Sequence, residues 1–484
     1  MGSTASAFAY LWPEMIVAFT GALILVADLV WPAPKGDDGT SRTWLAYLGV
    51  AGLLAAAVAV VSRIGVSATL FGGIIVVDSL SKFFSLLFLG IGTLVLLLSA
   101  NAAPRFSRWV AEFYALVVWC TLGHMVLASA GELFTIFITL QLTSLPLIVL
   151  IGYAKHDEKS GEAALKYLLL VLVSTAVLVY GMSLVYGSLG TSTISEIGVK
   201  LAASHNIGTV LSIGLVLLLT GFAFKITAAP FHYWVPDVYE GAPTPVTAFM
   251  SVGSKFAGFA LALRIIVVAL KVPLNWPVIF GVMAVLSMTL GNLGAIRQTN
   301  IKRMLAYSGI AQAGYLLVGV ASLSSGGVGA VLFYAVAYAL ANLAAFGVVI
   351  TVAKTTGNAE IEGYAGLARR APVLALACAI ALLSLGGLPL MAGFMAKFYI
   401  FLSAAHAGLA WLVIIGVINS VIALYYYMRV IYVMYVREGE TEPLAVDGSA
   451  AFAMSLCIAG VLGLGLFPEY LFRAANFAAS ALFR

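Results

Sequence analysis

Long apolar stretches alternate with short polar connections along the whole chain. A helix that crosses a bilayer needs about 20 mostly apolar residues, and fourteen such stretches can be marked in the sequence. We expect spans at residues 8–30, 44–62, 79–100, 109–130, 132–153, 163–187, 207–235, 243–270, 275–297, 301–322, 327–353, 371–403, 407–436 and 447–467. The connections between them are too short for a soluble domain. The pattern predicts an all-α integral membrane protein with about fourteen transmembrane helices.

The composition agrees with this class and argues against others. Hydrophobic residues make up 62% of the chain and charged residues 9%, a balance far from that of soluble domains. The net charge of +5 reflects basic loops, so we expect a lipid bilayer and no nucleic acid around the chain. Cys120, Cys378 and Cys457 all fall in predicted spans without a CxxC or Cys/His pattern, and no glycine-rich phosphate loop follows a strand. We therefore predict no metal or cofactor in this chain.

Basic residues are unevenly distributed among the connections, and this predicts the orientation. Loops on the cytoplasmic side carry an excess of lysine and arginine. With the N-terminus outside, the inner loops hold Lys35, Arg42, Arg105, Arg108, Lys155, Lys159, Arg297, Lys302, Arg303, Lys354, Arg369, Arg370, Arg429 and Arg437. The outer segments then hold only Arg63, Lys82, Lys200, Arg264, Lys271, Arg473 and Arg484. We therefore expect a multi-pass protein of the cell inner (cytoplasmic) membrane with both termini outside.

Three lysines lie inside predicted spans and more than one helical turn from either end: Lys225, Lys255 and Lys397. A lysine at the bilayer centre costs roughly 2.5 to 3.5 kcal/mol on insertion scales, so each must be paired, hydrated or neutral. Burial favours the neutral amine and a nearby carboxylate favours the ammonium, so a changing neighbour can switch the group. The pattern favours a relay that carries protons, although a structural lysine that reaches the interface or bonds helix carbonyls is the plainer alternative for each.

Helix breakers accompany two of these lysines. Pro230 follows Lys225 by five residues, and Gly386, Gly387 and Pro389 precede Lys397. Transporters are often built from inverted repeats with interrupted helices, and spans four to eight and nine to thirteen each form a set of five with a broken fourth member. We expect broken helices seven and twelve, with carbonyls freed by the prolines that need water or a side chain as partner. The chain would divide into segments 1–107, 108–270, 271–437 and 438–484, all within one membrane domain.

Residues 221–264 read GFAFKITAAPFHYWVPDVYEGAPTPVTAFMSVGSKFAGFALALR, and here the chain resembles a known family. It is similar to the N subunit of NADH-quinone oxidoreductase, respiratory complex I, one of the antiporter-like membrane subunits. The resemblance extends to GEAALKYLLLVLVSTAVLVYGMSLVYG, RQTNIKRMLAYSGIAQAGYLLVG and LSLGGLPLMAGFMAKFYIF. It implies fourteen helices with two inverted five-helix repeats. It also implies half-channels that meet at a central lysine axis.

By that resemblance each lysine takes a family position. Lys225 matches the seventh-helix lysine, Lys255 the bridging lysine of the eighth helix, and Lys397 the twelfth-helix lysine of the outer path. Lys166 matches another family lysine at the inner end of helix six, with a role as an interface anchor equally open. NAD, FMN, iron-sulfur clusters and quinone are implied in other subunits, and other membrane subunits, including antiporter-like ones, are implied as partners.

The chain departs from the family pattern in the fifth span. The family has a carboxylate in this segment, whereas FITLQLTSLPLIVL places Gln141 there. Glutamine forms hydrogen bonds but holds no charge. Glu132 lies nine residues earlier, about 13 Å along a helix, and cannot simply replace the acid. We expect no carboxylate of spans four to eight close to Lys225.

Other polar residues suggest weaker hypotheses. His232 is a candidate for the inner proton path, although a structural cap is equally open. A lone histidine, His124, is expected to be a hydrogen-bonded core residue. Asp78, at a span end, is expected to be solvated or at a subunit interface. Tyr425, Tyr426 and Tyr427 are expected to belong to an interfacial aromatic belt.

The sequence as a whole favours a proton-translocating membrane subunit of a complex I type NADH-quinone oxidoreductase, a translocase. It would have no redox centre of its own and would be coupled to quinone reduction elsewhere. Two alternatives stay open. One is a subunit of a cation/proton antiporter or membrane-bound hydrogenase, and the other, motivated by Gln141, is a structural subunit with impaired pumping. The sequence does not distinguish protons from sodium.

Overall fold

The computed structural model describes residues 8–31, 40–203, 208–268, 275–357, 359–439 and 442–483. Lys35, Lys271 and Arg484, counted above for orientation, lie outside these residues. The first-half helices are α1 Trp12–Val30, α2 Trp44–Val61, α3 Ser79–Ser99, α4 Val110–Ser129, α5 Leu133–Ile151, α6 Glu158–Leu189, α7 Ile194–Ala203, α8 Thr209–Lys225, α9 Trp234–Gly241 and α10 Thr244–Val268. The second-half helices are α11 Trp276–Ile296, α12 Ile301–Ala321, α13 Ser325–Thr356, α14 Leu367–Arg370, α15 Pro372–Gly386, α16 Ala392–His406, α17 Ala410–Val436, α18 Gly448–Leu466 and α19 Glu469–Ser480.

The helices form the predicted set of membrane spans. Within the described ranges, twelve helices are long and apolar enough to cross a membrane, and the two shorter apolar helices are α8 and α15. These two belong to the predicted spans seven and twelve, which are completed by α9 and α16. The expectation of an all-α membrane protein with about fourteen spans, the seventh and twelfth broken, is confirmed.

Contacts between connections define the two ends of the helix bundle. At one end, here the Glu240 end, Lys159 pairs with Glu240 and Lys354 with Asp447. A β-bridge there joins Asn300 to Glu360. At the other, the Asp78 end, bridges join Ile75 to Ala130 and Glu132 to Thr193. Successive spans therefore alternate in direction. The first span begins at the Asp78 end, and the last span finishes there.

The two sets of five spans run in opposite senses. The first set begins with α4, which starts at the Glu240 end, and the second begins with α11, which starts at the Asp78 end. Each fourth member is the broken one. This is the arrangement that inverted repeats require; the exact division at residues 107, 270 and 437 stays a prediction.

Both broken spans stop beside a lysine or its partner. Helix α8 ends at Lys225 itself, and Thr227 two residues later has a φ of 62°. Helix α15 ends at Gly386, and Gly387 follows with a φ of 89°, a conformation that favours glycine. Pro389 was expected to leave the Leu385 carbonyl without its backbone donor. That oxygen instead accepts a hydrogen bond from Gln312 Nε2 at 3.1 Å, the side-chain partner that the sequence predicted.

Small elements complete the Asp78 end. Strands β1 (Ala68–Leu70) and β2 (Ile75–Val77) pair antiparallel, with Thr69 opposite Val76. Helices α7 and α19 were not predicted, because both are shorter than a span. Helix α19 packs by stacking Phe472 on Tyr399 of α16, with ring centroids 3.8 Å apart.

Asp78 is not the solvated residue that was one of its two expected roles, and a place at a subunit interface stays a prediction. Its carboxylate forms a two-pronged ion pair with Arg264 of α10, at 2.9 and 3.0 Å, and its Oδ1 also caps α3 by accepting from the Ser81 backbone N–H. Arg264, counted as an outer-loop charge, is buried and also donates to the Ala128 carbonyl. Tertiary contact between α3, α4 and α10 therefore neutralises a carboxylate that the sequence left in water.

Candidate functional site

The three lysines predicted from the sequence are all buried. Their exposed fractions are 9% for Lys225, 1% for Lys255 and 5% for Lys397. Within the described residues no carboxylate lies within ion-pair distance of any of them, and every hydrogen-bond partner described for them is a neutral oxygen. Such a site tolerates the neutral amine and gives the ammonium no fixed countercharge.

Lys255 lies where α10, α12 and α13 meet. Its Nζ donates to the Gly309 carbonyl at 2.8 Å and contacts the Tyr338 hydroxyl at 3.3 Å. Glycine at 309 makes this approach possible, because a Cβ there would lie 2.9 Å from the lysine Nζ. The position of the lysine amine therefore depends on the absence of a side chain at residue 309, in the middle of α12.

Lys397 reaches back across the break in span twelve. Its Nζ donates to the Gly386 carbonyl at 2.9 Å and lies 4.5 Å from the centre of the Tyr315 ring. Gly386 is the last residue of α15, and the carboxyl end of a helix carries partial negative charge. The break thus supplies a partner for a cation without supplying an acid.

A group of hydrogen-bonded polar side chains lies between these two lysines and ends at residues next in the chain to their partners. Gln312 lies at its centre: its Nε2 donates to the Leu385 carbonyl at 3.1 Å and to the Tyr427 hydroxyl at 3.4 Å, and its Oε1 accepts from Tyr334. The Tyr427 hydroxyl also bonds Ser308, the residue before Gly309. We call this set the polar axis; it comprises Lys255, Ser308, Gly309, Gln312, Tyr334, Tyr338, Leu385, Gly386, Lys397 and Tyr427.

The aromatic-belt expectation was wrong for two of its three tyrosines. Tyr425 is 61% exposed, but Tyr426 and Tyr427 are 1% and 0% exposed. The Tyr426 hydroxyl donates to Asn292 Oδ1 at 3.1 Å, and Tyr427 belongs to the polar axis. Consecutive residues of a helix point about 100° apart, so a run of three tyrosines spans both a lipid face and a buried face.

Lys225 packs against α10 about one helical turn from Lys255, and its hydrogen bond is to a different helix. Its Nζ donates to Ser144 Oγ of α5 at 2.9 Å, and a Cβ on Gly258 would lie 3.2 Å from Lys225 Cγ. Gly258 is one helical turn from Lys255, so both lysines pack on α10. Among the described residues no hydrogen bond or ion pair joins Gln141 to Lys225. The expectation of no nearby carboxylate from spans four to eight agrees with the structure.

Lys166 is not brought to the lysines but to a charged cluster at the Glu240 end. Its Nζ lies 2.9 Å from Asp237 and 2.7 Å from Glu162. Arg303 of α12 pairs with the same Asp237 at 2.7 Å and with Glu240 at 2.9 Å. These residues, with Lys159, line a cavity of about 150 Å³. The structure therefore places Lys166, ion-paired and partly exposed, at a cavity at the Glu240 end rather than in the membrane interior.

The cluster stabilises its acids in the charged form. Burial alone would raise the pKa of Asp237, but hydrogen bonds from Lys166 and Arg303 outweigh it and hold the pKa below its ordinary value. The pKa of Glu240 is lowered in the same way by Arg303 and Lys159 against the effect of burial. Lys302, expected in an inner loop, is buried beside them and donates to the Glu240 and Ala242 carbonyls, both at 2.6 Å.

His232 occupies the break between α8 and α9. Its ring is buried and stacks on Tyr233 with centroids 4.7 Å apart. Its Nδ1 has no hydrogen-bond partner among the described residues, and no described hydrogen bond links it to Lys225 or to the charged cluster. Its place in the inner path stays a prediction.

Sequence reasoning missed most of the polar axis, although a signal was present. Tyr334, Tyr338 and Asn342 follow one another at intervals of four on α13, as do Ser308 and Gln312 on α12. Side chains at i and i+4 lie on one face of a helix. A stripe of hydroxyl and amide groups at this period, in a helix otherwise apolar, would have predicted these residues.

Comparisons with known proteins agree with this arrangement. A family model described as NADH:quinone oxidoreductase/Mrp antiporter, TM matches residues 130–423. The chain is 43% identical over 471 residues to NADH-quinone oxidoreductase subunit N of Trichlorobacter lovleyi, which covers 96% of this chain and 95% of that one. It is similar to a chain of respiratory complex I from Thermus thermophilus with bound aureothin, at 33% identity and a TM-score of 0.80, covering 95% and 98% of the two chains.

A further structure supports the fold alone. A chain of the Mrp complex from Dietzia sp. DQ12-45-1b has a TM-score of 0.86 at 21% identity, covering 99% of this chain and 98% of that one. The curated relative, by contrast, is similar in sequence along almost its whole length. The chain therefore belongs to the subunit N family of NADH-quinone oxidoreductase, among the antiporter-like membrane subunits.

Proposed function

We propose that this chain translocates protons as a membrane subunit of a complex I type NADH-quinone oxidoreductase. Lys225, Lys255 and Lys397 act as the relay, and Lys397 serves the outer path. The Asp78 end lies outside and the Glu240 end lies in the cytoplasm, so both termini are outside. The observation that carries the proposal is the polar axis, which extends between Lys255 and Lys397 within the buried core.

The partners of the lysines make transfer physically reasonable. A lysine held by a permanent carboxylate would stay charged, whereas each of these amines is bonded to a carbonyl or hydroxyl oxygen. Uncompensated charge in the membrane interior is expensive, so proton occupancy responds to any change in the neighbouring charges. A relay requires this sensitivity.

Gating energy must come from outside the chain in this proposal. The relatives are named as subunits of a quinone oxidoreductase, and we place NAD, FMN, iron-sulfur clusters and quinone in other subunits of the complex. Neighbouring antiporter-like subunits in the cytoplasmic membrane then transmit the energy of quinone reduction. The inner mouth is the cluster of Lys166, Asp237 and Arg303, and His232 lies on the path from it.

The proposal is tested by measuring protons moved per electron in the assembled complex. Lys397→Ala is introduced, the complex is reconstituted in vesicles, and proton uptake is followed together with NADH-dependent quinone reduction. We expect a lower proton-to-electron ratio with assembly retained. Lys155→Ala, in an exposed connection at the Glu240 end, is the control and should keep the native ratio.

The outcomes separate this function from its alternatives. If Lys225→Ala, Lys255→Ala and Lys397→Ala all keep the native ratio, the chain is a structural subunit and the relay is wrong. If the purified assembly exchanges cations for protons and shows no quinone reduction, it is an antiporter. Replacing sodium by potassium in the assay distinguishes proton from sodium transport, and the proposal requires no dependence on sodium.

A further inference from the structure

His124 is a buried titratable side chain that the relay described above does not use. It lies on α4 with 1% of its surface exposed, between the rings of Phe88 and Phe249, whose centroids are 5.3 and 5.4 Å away. Its Nδ1 has no hydrogen-bond partner among the described residues. Buried polar atoms are nearly always paired, so a free nitrogen in the core calls for a reason.

The other ring nitrogen contacts a thiol that bonds to α5, next to the residue that accepts from Lys225. His124 Nε2 lies 3.8 Å from Cys120 Sγ, and that thiol donates to the Thr143 carbonyl at 3.2 Å. Thr143 directly precedes Ser144, which accepts from Lys225. When Nε2 carries the hydrogen that faces the sulfur, Nδ1 presents a lone pair that is free to take a proton.

The free edge of the ring faces the helix on which both lysines pack. A Cβ on Gly253 of α10 would lie 3.0 Å from His124 Cε1 and 3.3 Å from Nδ1. Gly253 is two residues before Lys255 and five before Gly258, which contacts Lys225. Lys225 also lies close enough to interact electrostatically with His124 and with Cys120. Lys225 and Cys120 are thus the titratable groups that the described contacts place near His124.

We infer that His124 is a proton-relay residue that serves Lys225 by accepting its proton, in a chain that has Gln141 in place of a proton-accepting carboxylate. The inference rests on the proposed function. In the step, one N–H bond of the Lys225 ammonium breaks and one N–H bond forms at His124 Nδ1, and the positive charge moves with the proton. No electron is exchanged. Because both groups are cations when protonated, each disfavours the charged form of the other, so the pair shares one proton.

A rescue experiment tests this role against simple packing. His124→Met replaces the ring with an apolar side chain that fills irregular space, and His124→Gln keeps a polar side chain that does not titrate. Gln141→Glu is then added to His124→Met, because residue 141 lies one turn before Ser144 on α5 and a carboxylate there lies on the face toward Lys225. His156→Met, in an exposed connection, is the matched control.

The proton-to-electron ratio of the assembled complex is the readout. We expect His124→Met and His124→Gln to lower it by the same factor as Lys225→Ala, and the double variant His124→Met/Gln141→Glu to restore it. Core packing alone predicts no rescue from a different helix. The inference is overturned if either single variant assembles and keeps the native ratio, or if the double variant assembles without restoring it.

The failure of this inference is distinguishable from failure of the proposed function. If Lys397→Ala lowers the ratio and the His124 variants do not, only the histidine relay is wrong. If Lys397→Ala also keeps the native ratio, the proposed function itself fails. Assembly of each variant is verified by native electrophoresis and by quinone reduction with an uncoupler present.

Discussion

At the scale of single residues, the site consists of amines bonded to neutral oxygens. Lys255 is bonded to a main-chain carbonyl and a tyrosine hydroxyl, and Lys397 to a main-chain carbonyl. A buried ion pair would hold charge in place, because removing either partner leaves an uncompensated charge. Hydrogen bonds to neutral groups allow the proton to leave at a smaller cost.

Gly309→Ala tests the contact of Lys255. The added Cβ would lie 2.9 Å from Lys255 Nζ and 3.3 Å from the Tyr338 hydroxyl, so it must displace the amine from the carbonyl. We expect a reduced proton-to-electron ratio with assembly retained. Gly187→Ala, where a Cβ meets nothing within 4 Å, is the control. An unchanged ratio in Gly309→Ala would show that the carbonyl contact is dispensable.

Tyr427→Phe tests the link between the two lysines. The change removes a hydroxyl that contacts Ser308 and Gln312. Each lost hydrogen bond is worth about 0.5 to 1.5 kcal/mol, so the fold should persist while proton transfer slows. Tyr425→Phe, on an exposed neighbour, should have no effect. Equal pumping by the two variants in vesicles would remove Tyr427 from the path.

At the scale of secondary structure, the broken spans bring backbone groups to the lysines. The end of α15 offers the Gly386 carbonyl to Lys397, and α8 ends on Lys225. Both breaks contain a residue other than glycine with positive φ, Thr227 at 62° and Leu390 at 71°. Such backbone strain tends to occur at functional sites, and here both strained residues lie beside the relay.

Helix α9 is anchored by charge, which makes its stability dependent on pH. The pKa of Asp237 is held below its ordinary value of 3.8 by Lys166 and Arg303, against the effect of burial. A depressed acid stabilises the folded state above its unfolded pKa and loses that contribution as pH falls through its folded pKa. The anchoring is therefore complete at neutral pH and is lost only below about pH 3.8.

The corresponding prediction concerns hydrogen exchange of α9. At pH 7 we expect Asp237→Asn to speed amide exchange in residues 234–241, because the neutral amide offers Lys166 and Arg303 no negative charge. In the native chain these amides should exchange comparably fast only below about pH 3.8. Glu438→Gln, an exposed change, is the control. Exchange as slow as native in Asp237→Asn would mean that packing alone holds α9.

At the scale of the whole molecule, alternating spans collect the predicted inner loops at one end. The connection at 298–303 meets the one at 354–370 through Asn300 and Glu360, and its Arg303 shares Glu240 with Lys159 of the connection at 154–162. The structure decides that they share an end. The membrane side of that end follows from the basic residues and is open to measurement.

Single cysteines test this orientation in intact cells. Lys155→Cys at the Glu240 end should resist an impermeant thiol reagent, whereas Ser67→Cys near the hairpin should react, since both positions are exposed. The native Cys120, Cys378 and Cys457 are buried and should add little background. Reaction at position 155 combined with protection at position 67 would reverse the topology.

The sequence by itself determined the class of protein, the number of spans, the two breaks and the three lysines. Each of these depends on local facts: apolar length, the missing N–H of proline, the freedom of glycine, and the cost of a charge in lipid. The same local reasoning anticipated that Lys225 would lack a carboxylate, because Gln141 can be read directly from the chain.

Only the tertiary structure decided which neutral groups the lysines meet. Gln312, Tyr334 and Tyr427 belong to different helices, and their hydrogen bonds join residues as far apart as 312 and 427. The pairing of Asp78 with Arg264, across 186 positions, is of the same kind. Whether a polar side chain in a span faces lipid, a neighbour or a lysine depends on how helices rotate against each other, and that rotation is set by packing between segments distant in sequence.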